Sequence, residues 1–410
     1  MGRALYITHD GLTDPLGRSQ IIPYLQGLSE KGHRITVISS EKPKRYFTGK
    51  QEVSALLSAA GIAWLPCPYV STLPLVSKYG NLKKLERQAM RLCRKERFDL
   101  VHCRGYMASV IGLKLKRRYG LKFIFDMRGF WADERVDGKI WSLSNPLTRA
   151  IYRYFKRKET EFLNNADFVI SLTETGKNEL LSWKGVKRPP AVEVIPCCVD
   201  LDHFSPERVT SEKLGGLRNR LGIRESDFIL SYIGSLGTWY MPDKMLLFFR
   251  ELLQVRPNAR FLFVTPDGAA GLIAAAGRAG LDRSRIIVTE SSRGDMPAYI
   301  ALSHLSVYFI QPLFSKKASS PTKMAEIMAM GIPAVINAGI GDTEQVMRDS
   351  GAGIVLSDLS EKTMRTALAE LDLLLGRDKR LLRASAKKHF SLDQGVERYD
   401  RVYNQVLNKM

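Results

Sequence analysis

LSVYFIQPLFSKKASSPTKMAEIMAMGIPAVIN, residues 305–337, sets the fold class. Leu305–Ile310 and Ala334–Ile336 read as buried strands, since each is a short apolar run bounded by turn residues. Between them, Ser319–Pro333 reads as a helix. Ser320 suits the N-cap, Pro321 the first helical position, and Gly331 followed by Pro333 the end. Strand, helix, strand in so short a span is one unit of a parallel sheet covered by helices. The amides around Pro321–Met324 have no helical partner and carry the positive end of the dipole. They make a phosphate site to which Lys323 adds a charge. Glu326, one turn on, is placed to accept both vicinal hydroxyls of a ribose. A capped core helix with an incidental glutamate is the competing reading, and the position straight after a strand favours the ligand loop.

The same rhythm extends outward. Phe228–Ile233, Arg260–Val264 and Arg285–Val288 are further strands of this half. The loop Tyr232–Met245 carries Gly234, Ser235, Leu236 and Gly237, whose glycines let a phosphate or sugar approach the backbone. It is not the G-x-G-x-x-G fingerprint of a dinucleotide site, which argues against a dehydrogenase. Val288–Pro297 suits either a base-holding loop or a plain connection. In the first half, Ala4–Thr8, Ile35–Ser39, Leu100–His102, Phe123–Asp126, Phe168–Leu172 and Val192–Pro196 read as strands, with helices over Ser19–Lys31 and Met107–Tyr119. The turn-rich Pro196–Pro206 is the expected join. Two doubly wound domains follow, residues 1–200 and 201–390.

Three loops of the first half carry polar residues at strand ends. In His9–Gln20 the segment Asp14–Gly17 reads as a loop and Ser19 as the cap of the next helix, so that Gly17 and Arg18 face a ligand. His102–Tyr106 and Asp126–Glu134 add His102, Arg104, Asp126 and Arg128. A sugar or phosphate cleft would use such residues. The alternative is that Phe130 and Trp131 are core and that Asp126 and Arg128 form an ion pair.

The chain has 410 residues, 45% hydrophobic and 25% charged, an ordinary globular composition and too long for one core. Its opening, MGRALYITHDG, reads as a first strand and not as a signal peptide. No stretch approaches the ~18 uninterrupted apolar residues of a membrane-spanning helix. A cytoplasmic protein, soluble or peripheral at the inner face of a membrane, is expected. Cys67, Cys93, Cys103, Cys197 and Cys198 are odd in number, lack metal-like spacing, and read as reduced thiols. The net charge of +20 is lopsided: residues 1–200 hold 34 Lys and Arg against 19 Asp and Glu, so they carry +15 of it. Such a half attracts polyanions, or it is a set of solvated helix faces. The segment 81–97, with Leu82, Leu85, Met90 and Leu92 among seven basic residues, reads as a basic surface helix suited to an anionic membrane.

Taken together, these stretches resemble the GT-B glycosyltransferases, and within them the retaining group of glycosyltransferase family 4 (glycosyl transferases group 1). The resemblance rests on DGLTDPLGRSQIIPYLQGLSEKGHRITVIS, DLVHCRGYMAS, ADFVISLT, VIPCCVDLDHFSP and SSPTKMAEIMAMGIPAVIN. It also rests on Glu344 with Gly351 and Gly353, and on the terminal FSLDQGVERYDRVYNQVL. It implies two Rossmann-like domains facing a central cleft. The first binds the acceptor, with a helix near 391–410 packed back on it, and the second binds a nucleotide-sugar. By position, Glu326 would hold the donor ribose. The stretch of Ser319, Ser320, Pro321, Thr322 and Lys323, through the N–H groups of its non-proline residues, and the amides of Gly234–Gly237 would hold the diphosphate, together with the Lys323 side chain and with Gly17 of the first domain. The nucleotide-sugar would be a co-substrate, with no cofactor or metal.

Three departures bear on the chemistry. Counting eight back from Glu326 reaches Ala318, where the family's first glutamate is expected. GSLGTWY lacks the arginine that often follows that turn. Arg128 stands where relatives often place a histidine. Lys316, Lys317, Arg18, Arg104 and Arg128 are candidates for the missing positive charge. A retaining enzyme would let the leaving phosphate take the acceptor proton, whereas an inverting one would need Asp14, His102 or Asp126 as base. Asp126, Arg128, His102 and Lys323 are therefore the catalytic candidates. A nucleotide-sugar epimerase or hydrolase is the nearest alternative, and a basic nucleic-acid or membrane-binding module the remote one. No nucleic-acid-binding motif is evident, so no nucleic-acid partner is expected.

Overall fold

The computed structural model describes residues 2–71 and 74–408, and it divides into two compact units. One runs to Pro196 and adds Lys317–Ser319 and the chain from Leu392 onward, while the other holds Cys197–Lys316 and Ser320–Ser391.

The first unit is built on seven parallel strands: β1 Arg3–Thr8, β2 Arg34–Glu41, β3 Ala63–Pro68, β4 Leu100–Arg104, β5 Lys122–Asp126, β6 Phe168–Ser171 and β7 Val192–Val194. Their order is β3-β2-β1-β4-β5-β6-β7. The switch point lies between β1 and β4, where Ala4 pairs with Leu100 and Thr8 with Arg104. Ala4–Ile7 and Leu100–Cys103 are buried without alternation, as expected of strands covered on both faces. β3 has no counterpart in the sequence reading. Pro66 and Pro68 interrupt its pattern, and such a strand is tolerated because it lies at the sheet edge.

The terminal helix Leu392–Leu407 packs against helix Ile22–Glu30 of this unit. It buries Gly395, Val396, Tyr399, Val402, Tyr403 and Val406, one stripe at helical spacing. Gly27 makes the approach possible, since a Cβ there would stand 2.6 Å from Val396.

The second unit has six parallel strands: β8 Phe228–Ile233, β9 Ala259–Val264, β10 Ile286–Thr289, β11 Leu305–Tyr308, β12 Ala334–Asn337 and β13 Gly353–Leu356, in the order β10-β9-β8-β11-β12-β13. Phe248, Phe249, Phe261, Phe263 and Met328 are among its fully buried core residues.

Several local expectations change. Helix Thr322–Ala329 begins later than expected: Pro321 is extended at ψ 118° and takes the cap position. The Ser320 hydroxyl instead accepts the Cys197 N–H at 3.1 Å. Asp14–Gly17 is not a loop. Helix Pro15–Gln20 begins there, and Ser19 lies inside it, bonded to the Pro15 carbonyl at 2.9 Å. Helix Pro74–Lys95 turns Leu85 and Ala89 into the core of the first unit, with Leu82, Met90 and Leu92 packed beside them. The apolar stripe of Leu82, Leu85, Ala89, Met90 and Leu92 is thus used by the protein itself, while Tyr79 and the cations Lys84, Arg87, Arg91, Arg94 and Lys95 are exposed. No helix among the described residues is long and apolar enough to cross a membrane. None of the five cysteines is in a disulfide.

Candidate functional site

In the second unit the expected nucleotide residues converge at the C-terminal ends of β8 and β11. β8 ends at Ile233 and turns at Gly234, whose φ of +102° suits only glycine. A Cβ at Gly234 would lie 3.5 Å from Lys323 Nζ, so this turn and the first turn of helix 322–329 meet at the lysine. Lys323 Nζ donates to the Tyr232 hydroxyl at 2.8 Å. It also stands 3.5 Å and 4.0 Å from the ring centroids of Tyr240 and Tyr232, within cation–π range. Burial drives its pKa well below the ordinary lysine value, against the pull of Glu326. Among the described residues no carboxylate lies in ion-pair range of this cation. A desolvated lysine without a counter-ion is suited to receive an anion.

Glu326 is half-buried. Burial pushes its carboxyl up to about 7, outweighing Arg293 and Lys323. No hydrogen bond from any described residue reaches this carboxylate, so its lone pairs are open to a ligand. Thr322 and Lys323 open the helix, and first-turn N–H groups have no intrahelical acceptor. Lone carboxylate, caged cation and helix N-terminus are thus gathered at one end of one sheet.

The 234–237 loop fits the expected phosphate cradle less well. Gly234 N–H is spent on the Val264 carbonyl at 2.8 Å. The Leu236 N–H and the Ser235 hydroxyl donate to Asp267 at 2.6 Å and 3.1 Å. Asp267, in the turn after β9, therefore shapes this loop and takes donors assigned to a diphosphate. Asp267 and the tyrosines Tyr232, Tyr240 and Tyr308 were missed from sequence. The only signal was aromatic residues at or just beyond strand ends, which also fits core packing.

The first unit holds a second cluster, at the ends of β4 and β5. Asp126 is fully buried. It accepts from the Tyr399 hydroxyl at 3.1 Å and lies 3.5 Å from His102 Nε2, 3.8 Å from Arg104 and 3.9 Å from Arg128. Burial alone would raise its pKa, but Arg128, His102 and Arg104 outweigh it and hold the carboxyl below its usual value. His102 is buried too, with Nδ1 3.0 Å from the Tyr403 hydroxyl, and burial lowers its pKa. Neither group reaches solvent, so direct proton abstraction from an acceptor by Asp126 or His102 does not fit this geometry. Arg128, the least enclosed member, stands at the edge of ion-pair range of Asp126 and is held at φ +55°, a strained backbone for a non-glycine residue. The ion-pair reading of Asp126 and Arg128 therefore applies. Phe130 is core, packed on Trp183 at 5.3 Å.

The other candidates are accounted for within the first unit. Arg18 pairs with Glu52 at 2.7 Å. Asp14 pairs with Lys42 at 2.7 Å and Arg45 at 3.3 Å. Gly17 is a packing glycine, since its Cβ would stand 2.2 Å from the Gly11 carbonyl oxygen. Glu41, also missed, takes the Leu12 and Thr13 amides at 2.7 Å and 3.2 Å and so forms the first loop. Ala318 is buried with the core of this unit, close to Gly176, and Ser319 groups with the same unit. Lys317 pairs with Glu179 at 2.8 Å. Lys316, in the second unit, is buried 3.8 Å from the Trp239 ring centroid.

With this geometry in hand, likeness to known proteins is informative. The family model for Glycosyltransferase Family 4 matches residues 23–203, and that for Glycosyl transferases group 1 matches residues 227–372. The D-inositol 3-phosphate glycosyltransferase of Segniliparus rotundus is 22% identical over 278 residues, covering 67% of this chain and 58% of that protein. The one from Salinispora arenicola is 23% identical over 325 residues, covering 76% and 69%. Among solved structures, sucrose-phosphate synthase from Thermosynechococcus elongatus superposes with a TM-score of 0.74 at 13% identity, over the full length of both chains. Anabaena HepE in complex with UDP-glucose does so with a TM-score of 0.69 at 14% identity, over 99% of this chain and 100% of that one. The two family models lie on the two sheets in turn, and the fold is GT-B. The chain spans 58% of the Segniliparus relative's length, and it belongs to the glycosyltransferases of family 4 and group 1.

Proposed function

We propose that the protein moves a sugar from a UDP- or GDP-type nucleotide-sugar to a lipid-linked or glycan acceptor, with retention and without a metal ion. The setting we propose is cell-surface glycan synthesis at the cytoplasmic face of a membrane. The observation that carries this reading is the open Glu326 carboxylate beside the caged Lys323. In it, Glu326 takes the ribose hydroxyls. Lys323 and the free amides at Thr322 and Lys323 neutralise the leaving diphosphate, with Ser320 and Pro321 shaping the approach. Gly234 and Gly237, with φ of +102° and +47°, allow close passage of backbone.

Support comes from several directions. HepE was captured with UDP-glucose. The Segniliparus and Salinispora relatives are named for an inositol phosphate, and an acceptor bearing phosphate matches the basic first half of this chain. Retention is favoured because Asp126 and His102 are sealed, which leaves the departing phosphate as proton acceptor. The metal-free reading draws on the cation-rich donor side.

Nucleotide release from a panel of UDP- and GDP-sugars, with and without acceptor and with chelator, tests the reading. Turnover should need acceptor and survive chelation. Glu326→Gln should lose at least about tenfold in donor affinity, because two hydrogen bonds to a charged group are weakened. Donor binding undisturbed by that change would sink the assignment. Equal turnover without acceptor would favour the epimerase or hydrolase.

A further inference from the structure

In the first unit the turn between helices Trp131–Asp137 and Pro146–Asn165 presents an apolar patch that the protein does not cover. Ile140 is 46% exposed, Leu143 40%, Leu147 54% and Tyr154 45%. The turn is ordered by its own contacts. Trp141 is buried between Trp131 and Phe155, at 5.3 Å and 6.3 Å. Asn145 caps the second helix through the Leu147 and Thr148 amides at 2.9 Å and 3.4 Å. Lys139 at the tip is held at φ +56°. Exposure of Ile140, Leu143 and Leu147 is thus a built feature and not fraying.

The flanking charge has one sign. Residues 138–158 contain Lys139, Arg149, Arg153, Lys156, Arg157 and Lys158 and no Asp or Glu. Lys156 and Lys158 are paired to carboxylates. Lys139, Arg149, Arg153 and Arg157 are exposed, and no described carboxylate lies within ion-pair range of them. Four uncompensated cations in the same stretch as exposed leucine, isoleucine and tyrosine complement an anionic surface with a hydrocarbon interior. A polyanion such as nucleic acid would use the cations but leave the aliphatic side chains in water.

Helix 146–165 runs back between β5 and β6. Its N-terminus and the 138–145 turn therefore lie at the sheet end where β4 and β5 deliver Arg104 and Arg128. We propose that this patch docks the first unit on an anionic lipid bilayer, with Ile140, Leu143 and Leu147 entering the headgroup region. The docking presents the strand ends of β4 and β5 to an acceptor embedded there. The presentation rests on the reading that the acceptor is lipid-linked, whereas the docking does not. Helix 74–95, whose residues Leu82, Leu85, Met90 and Leu92 are packed on the core, contributes mainly charge, with Tyr79 as its exposed aromatic residue.

Sedimentation with vesicles of one part phosphatidylglycerol to two parts phosphatidylcholine, and with pure phosphatidylcholine, tests the docking in the full chain without donor or acceptor. The wild type should bind the anionic vesicles and not the neutral ones. The triple variant Ile140→Asp, Leu143→Asp, Leu147→Asp should lose at least tenfold. Arg149→Gln and Arg153→Gln should each lose about fivefold, the factor for one basic residue near such a surface. These side chains are exposed, so unchanged thermal melting should confirm the fold of each variant. Absence of binding by the wild type overturns the docking. So does wild-type affinity in the triple variant combined with loss in Arg87→Gln, Arg91→Gln, Arg94→Gln, which would move the contact to helix 74–95. Turnover of a detergent-dispersed lipid acceptor by the triple variant should equal the wild type. Turnover of soluble glycans alone, with vesicle binding intact, would reject the lipid-linked acceptor and leave the docking standing.

Discussion

The Glu326 carboxyl is pushed up to about 7 from its usual 4.5 by burial. Between these values the folded protein keeps a proton that the unfolded chain has released. Stability therefore falls as pH rises from 4.5 to 7, and the deficit persists above 7. Glu326→Gln removes that deficit, so it should be more stable than the parent at pH 8, by about 1 kcal/mol once partial exposure is discounted. Urea titration at pH 8 and pH 5 should show the gain at the higher pH and little at the lower. Ligand hydroxyls that donate to the carboxylate favour its charged form. Donor affinity of the wild type should accordingly improve from pH 6 to pH 8 relative to that of Glu326→Gln, in which only Lys323 is left to titrate. A wild-type profile without slope would count against a ribose on this carboxylate. Lys323 and Glu326 were legible because a helix start announces itself locally. Asp267 and the tyrosine cage were not, because their roles arise from strands and turns far apart in the chain.

At the scale of elements, apolar runs revealed most strands, and Gly331, with a φ of +68°, revealed a helix end. What failed was finer. A proline pair concealed β3, and Asp14-Pro15 looked like a turn although proline also opens helices. Gly17 was assigned to a ligand, yet the helix turn it occupies packs on the backbone of Gly11 and Leu12. Gly17→Ala should then destabilise by about 1–3 kcal/mol through overpacking. Urea unfolding would show this with or without donor. The terminal helix was legible as an element, but its polar attachment was not. Tyr399→Phe keeps the ring and removes one donor to the buried Asp126. It should lower stability by about 1–2 kcal/mol, again read by urea unfolding. If Asp126 orients Arg128, the same change should lower kcat while donor affinity is unchanged.

At the scale of the whole molecule, the lopsided charge was plain in the sequence, but its deployment was not. The 81–97 segment has the composition of an interfacial helix, and only packing shows that its apolar stripe faces the protein core. Many first-half cations are matched locally, as Lys114 is by Glu86 and Arg117 by Glu161. Others, such as Arg149 and Arg153, are not. Exposed charges of this kind act at long range and are screened within about 10 Å at 0.1 M salt. A buried site such as Lys323 is screened less. The two substrates should therefore respond differently to ionic strength. With a phosphate-bearing acceptor, acceptor KM should rise several-fold between about 0.05 and 0.5 M salt, as the steering field of the basic half is lost. Donor affinity, set by a desolvated lysine and a half-buried carboxylate, should change much less. Initial rates with each substrate varied in turn would separate the two. Parallel salt dependence of both would mean that the charge of the first half does not act on the acceptor.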